Sequence, residues 1–153
     1  MPVVPNSWIV HLSDFVLLAG RLLLALIFVH EGVALALHFD GTVKAMAQLG
    51  IGVPLVVATI ALQIAAGLSL GLGFLTRLGA VALGLFCVAT AALFHTNFAN
   101  HNELLHFEKD LAIAGGMFTL TIAGAGRFSL DMLVPHMLMG RMWILPSSRG
   151  PGR

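Results

Sequence analysis

Four stretches of the chain, residues 15–37, 54–75, 78–94 and 111–125, run almost without polar positions, and the polar residues gather between them. A helix that crosses a bilayer needs about 20 mostly apolar residues. The first three stretches approach or exceed that length. The fourth is short and fills out only if it starts near Phe107. The pattern within the stretches is continuous: residues 22–29 read Leu-Leu-Leu-Ala-Leu-Ile-Phe-Val. Barrel strands alternate apolar and polar positions, and this segment does not. An apolar segment in lipid must satisfy its own backbone hydrogen bonds, which a helix does internally. The expected fold is an all-α membrane protein, a four-helix transmembrane bundle, with no room left for a separate soluble domain.

Composition agrees: 58% of the 153 residues are hydrophobic and 10% are charged, which excludes an ordinary soluble domain. Residues 1 to 13 hold no Lys or Arg, and Arg21 interrupts the first apolar stretch. The first stretch therefore reads as a retained span rather than a cleaved signal. With four spans, Arg77, Arg127, Arg141, Arg149 and Arg153 fall on one side, and Lys44 and Lys109 on the other. The basic excess places both termini in the cytoplasm. A net charge of +1 with no basic, aromatic-laced patch argues against nucleic acid as a partner.

The connections have character of their own. Residues 39–53 read as a short interfacial helix that breaks at Gly50-Ile51-Gly52, with Pro54 in the first turn of the next span. The second connection, residues 73–77, is tight. The third, residues 96–106, is polar. After Gly126, residues 130–143 form a C-terminal amphipathic segment bent at Pro135, and residues 146–153 read as a disordered tail. Gly67 with Gly71, and Gly115 with Gly116, mark faces where helix backbones approach closely, either within the bundle or across a homodimer seam.

Polar residues inside spans are costly, so they carry the functional information. Arg21 lies about two turns into the first span, and Glu31 about 15 Å further along. That distance precludes a direct pair. Arg21 snorkels, or meets a carboxylate such as Asp14 or Asp131, in a role that is either structural or ligand-binding. His30 and Glu31, Gln63, His95, and Lys109 with Asp110 are candidates for a polar cluster at the outer end of the bundle, drawn from all four helices. In it Glu31 pairs with Lys109 or hydrogen-bonds His95. The cluster reads as a register-fixing polar layer, a small-molecule or proton site, or, least supported, a metal or haem site held by His30 and His95. His95, His101 and His106 match no zinc spacing, so no metal is expected. Cys87 is the only cysteine, which disfavours thiol redox chemistry. No dinucleotide, P-loop or nucleophile-elbow motif is present, and no self-contained catalytic machinery is evident.

Several segments together resemble the DoxX family of small membrane proteins. They are Gly20-Arg21 with Phe28 and Gly32, Met46 and Leu49-Gly50-Ile51 before Pro54, Gly67 through Gly73-Phe74-Leu75-Thr76-Arg77-Leu78-Gly79-Ala80, and Phe94-His95. Lys109-Asp110-Leu111-Ala112-Ile113-Ala114-Gly115-Gly116 and Gly124-Ala125-Gly126-Arg127-Phe128-Ser129-Leu130-Asp131 complete the set. The likeness spans about residues 15 to 131, so residues 1–131 read as one DoxX-like domain and 132–153 as a tail outside it. Two positions depart from the family pattern: Gln63, where many relatives carry a glutamate, and Asp110, where asparagine is common.

The resemblance implies a bacterial inner-membrane protein with an oxidoreductase label and a link to quinones or redox stress. The leading expectation is a membrane subunit without autonomous catalysis that binds a quinone or similar apolar ligand. Arg21, Glu31, His95 and Lys109 are then the polar contacts. A scaffold that anchors a soluble redox partner through its glycine faces and tail is the alternative. A small transporter is the weaker third reading. A homo-oligomer is compatible with each of them.

Overall fold

The computed structural model describes the backbone of residues 7–132, and side-chain surroundings from residue 11 onward. Its regular structure among these residues is helical: α1 (Ser7–Leu37), α2 (Phe39–Gln48), α3 (Val53–Leu72), α4 (Thr76–Phe94) and α5 (His101–Ala123), then a single 3-10 turn, Leu130–Met132. Three segments, His11–Leu37, Val53–Leu72 and Thr76–Phe94, are long and apolar enough to cross a membrane. α5 has the length, 23 residues, but its first turns carry Glu103, Glu108, Lys109 and Asp110. The expected C-terminal amphipathic segment and tail lie outside the described residues, apart from residues 130–132.

Helix ends follow their local sequence. α3 opens with Pro54 in its first turn, where a missing N–H costs nothing, and closes on Gly73 in the left-handed conformation. α5 opens on Asn100, whose side chain accepts from the Asn102 N–H at 3.0 Å. α2 is the short helix expected before the break, and Gly50 supplies the positive φ that reverses the chain after it.

The helices pair as two hairpin-like units, α1 with α3 and α4 with α5, joined mainly where α3 meets α4. Lipid is as apolar as leucine, so the pairing rests on close packing rather than on escape from water. Glycine permits it. A Cβ on Gly67 would stand 2.9 Å from Val29 Cγ2, and one on Gly84 would stand 2.9 Å from the Phe118 ring. Gly71 faces Ala25. Gly67 and Gly71 are thus used inside the bundle, against α1. Leu70, Leu83, Ala80 and Met117 are fully enclosed at the centre, with Phe28, Cys87 and Leu120 around them.

Glycine contacts also fix relative depth. Gly73, at the end of α3, abuts Arg21, whereas Gly32 abuts Gln63 and Ile64, near the middle of α3. α3 is 20 residues long, about one bilayer core of ~30 Å. Arg21 therefore lies level with one end of α3. α1 extends from Ser7 to Leu37, so it continues about 14 residues past that level and overshoots its partner by ~21 Å.

Candidate functional site

Two groups of interacting polar side chains lie at opposite ends of the bundle. At the first end Arg21 is only 1% exposed. Its guanidinium donates through Nη1 to the Ala125 carbonyl and through Nη2 to the Phe128 carbonyl at 2.6 Å. The planar fork of arginine suits two acceptors at once. The segment that follows α5 is thereby drawn across the end of α1 and α3. Asp131 completes the closure. Its Oδ1 accepts from Leu75 N–H at 2.7 Å, its Oδ2 accepts from Thr76 N–H at 3.0 Å, and its own N–H donates to the Gly73 carbonyl at 2.7 Å. These bonds cap α4 and hold Leu75 at a φ of 50°, a left-handed geometry that costs a non-glycine residue ~1–2 kcal/mol.

Both carboxylates named beside Arg21 in the sequence are present at this end, in other roles. Asp131 acts on Arg21 through space while capping α4. Asp14, buried at 7%, accepts from the Arg127 N–H at 3.3 Å and lies 4.0 Å from Arg127 Nε. Arg21 is met by carbonyl oxygens because the chain after α5 turns at Gly124 and Gly126, both at positive φ, and so aims its carbonyls inward. An open cleft of roughly 760 Å³ lies beside this knot, lined among others by Asp14, Thr76, Arg77, Arg127 and Asp131.

At the opposite end His95 stops α4, and His106 and Asp110 lie on the facing turns of α5. His95 Nδ1 is 2.9 Å from Glu103 Oε2, and His95 Nε2 is 4.0 Å from Asp110 Oδ2. Asp110 Oδ2 also accepts from the Thr90 hydroxyl at 3.0 Å. The His95 and His106 rings stack at 5.2 Å, and His106 Nδ1 lies 3.3 Å from Lys109 Nζ. Thr90 was not read from the sequence, and Glu103 and His106 were weighed there only as parts of a histidine-rich connection without a zinc spacing. The signal for Glu103 was its position, eight residues beyond His95, across a connection short enough to fold back.

The expected four-helix cluster is corrected by this arrangement. Only α4 and α5 build it. Glu31 pairs with neither Lys109 nor His95; among the described residues its charged neighbour is His30, at 3.9 Å. The reason is geometric: α1 packs along α3 and scarcely touches α5. His30 and Glu31 belong instead to the depth of Gly32, at mid-length of α3. His95 ends α4 some ten residues further out, ~15 Å away along the axis. An axial pair from His30 and His95 is therefore not assembled. Gln63 is buried at 5% at that same middle depth, and its Oε1 has no hydrogen-bond partner among the described residues. No group of three or more His, Cys, Asp or Glu arranged to hold a metal occurs among the described residues.

Comparison with known proteins bears on this geometry. The profile of the DoxX family matches residues 16–96, which takes in most of α1 and all of α2, α3 and α4. The chain is 36% identical over 123 residues to Inner membrane protein YqjF of Escherichia coli (strain K12), covering 80% of this chain and 95% of that protein. It is 37% identical over 122 residues to Inner membrane protein YphA of the same organism, covering 75% of this chain and 87% of that one. No solved structure matches. A profile match over more than half the chain and two relatives aligned along most of their length establish that the chain belongs to the DoxX family.

Proposed function

We propose that the chain is a four-span protein of the bacterial inner membrane and serves as a quinone-linked, redox-associated subunit without catalytic machinery of its own. α5 is the fourth span in this reading. It packs along α4 for most of its length, and its charged first turns lie at the His95 end, where polar headgroups begin. α2 lies at the same surface. Arg21, Arg77 and Arg127 share the opposite end, which makes that end cytoplasmic. An alkaline phosphatase fused after Asn100 is then active outside the cytoplasm, and one fused after Gly73 is silent. The reverse pattern would sink the orientation.

His95 carries the functional reading. An imidazole held between Glu103 and Asp110, at the boundary of the apolar layer, can donate to a quinone carbonyl and relay a proton. Lys109 supplies a further donor nearby. Arg21 is engaged by backbone carbonyls and has no part in this site. Full-length protein purified in mild detergent is expected to retain extractable quinone, and His95→Ala to retain at least fivefold less at equal folded yield. Equal quinone in both proteins, or none in either, removes the proposal.

A further inference from the structure

One face of α1 is left unpartnered, and its pattern is specific. Leu12, Val16, Ala19, Leu23, Leu26, His30, Val33 and Leu37 are all exposed, and they succeed one another at alternating intervals of four and three residues. That 3.5-residue repeat runs the length of the helix and matches the spacing of a two-stranded left-handed seam. A face meant only for lipid also repeats near this period, but it has no use for ionisable groups. Here His30 occupies a seam position with its side chain 75% exposed, and Glu31 beside it is 59% exposed. Both sit beside Gly32, which meets Gln63 and Ile64 at mid-length of α3, itself long and apolar enough to cross a membrane. Left in hydrocarbon, these groups are among the costliest a span can carry.

We infer that this face is covered by the same face of a second copy, in a parallel α1–α1 pair about a two-fold axis along the membrane normal. Such an axis holds each residue at the depth of its own counterpart, so the interface must be self-complementary. His30 meets that demand. A neutral imidazole has one donor and one acceptor nitrogen, so one ring can donate to the other across the axis. Glu31, 3.9 Å from His30 Nδ1 in its own chain, is placed to accept the remaining N–H. One polar residue in an otherwise apolar seam fixes register and pairing. The overshoot of α1 adds a second reason. Leu12 and Val16 lie beyond the level of Arg21, past the end of α3, and are exposed there. The glycine faces of α3 are not available for pairing, because α1 of the same chain already fills them.

The test uses full-length protein in native membranes, with Cys87→Ala as background and one cysteine at a time introduced along α1. A cysteine can cross-link to its own counterpart only where a two-fold seam passes. Disulfides between copies are expected for Leu23→Cys, Leu26→Cys, Val33→Cys and Leu37→Cys, and not for Leu85→Cys or Leu93→Cys on the exposed face of α4. His30→Ala is expected to lower the dimer fraction on the order of tenfold in dissociation constant, with His30→Gln retaining most of it. Cross-links to an unlike protein, or a monomer with no periodic cross-linking, overturn the pairing. So does cross-linking that is equal on α1 and α4. A folded monomer that is fully labelled by a lipid-soluble thiol probe at position 26 does so too.

Discussion

Gly73 shows how much of the fold hangs on single atoms. It ends α3 at a φ of 70°, and a Cβ there would lie 2.5 Å from Ser129 Cβ and 2.8 Å from Arg21 Nη1. The lack of a side chain is what admits the guanidinium and lets the Ala125 and Phe128 carbonyls reach it. Gly73→Ala therefore adds a strained φ to a clash with a buried cation. It is expected to cost ~2–4 kcal/mol, read as a lowered midpoint of thermal or SDS-induced unfolding in detergent. A midpoint within error of the parent would mean that the closure is looser than described. At the same scale, Arg21 was recognisable in the sequence as an anomaly, a buried charge in an apolar run. Its partners were not recognisable, because carbonyl acceptors have no signature in sequence and become acceptors only through the turns at Gly124 and Gly126.

Elements were more legible than contacts. The apolar runs located α1, α3 and α4, the break at Gly50 located α2, and the tight second connection was read correctly from Gly73 and Arg77. What periodicity missed was how the helices pair. His30 and Glu31 were assigned to the outer cluster by counting along a span, but the level of a residue depends on where its helix is anchored. α1 is anchored to α3 with an overshoot that its own sequence does not declare. The outer cluster was half visible for the same reason: His95, Lys109 and Asp110 flank the right connection, whereas Glu103 and Thr90 enter through the α4–α5 packing. The N-terminus of α4 illustrates dependence between elements. It has no cap from its own flank and borrows Asp131 from the end of the described chain. Asp131→Ala is expected to lower stability by about 1–2 kcal/mol, with Asp131→Asn losing less because its amide oxygen can still accept one bond. Equal loss in the two variants would point to the charge rather than the cap.

At the scale of the whole molecule, the bundle is two helical pairs fastened at one end by a clasp that arrives late. The hydrogen bond from Arg21 to Ala125 joins residues 104 positions apart. During synthesis α1 and α3 leave the translocation machinery while Ala125 is still unmade. The Ala125 and Phe128 carbonyls thus become available to Arg21 only after the ribosome has passed residue 128. The last few residues of the domain then decide whether everything before them is accepted. A chain stopped after residue 123, with every helix of the bundle present, is expected to be degraded several-fold faster than one stopped after residue 132 in a pulse-chase measurement. Equal half-lives would show that the helices commit before the clasp closes. In that light Arg21 ties the fate of the first helix to the arrival of the turn that follows the last one.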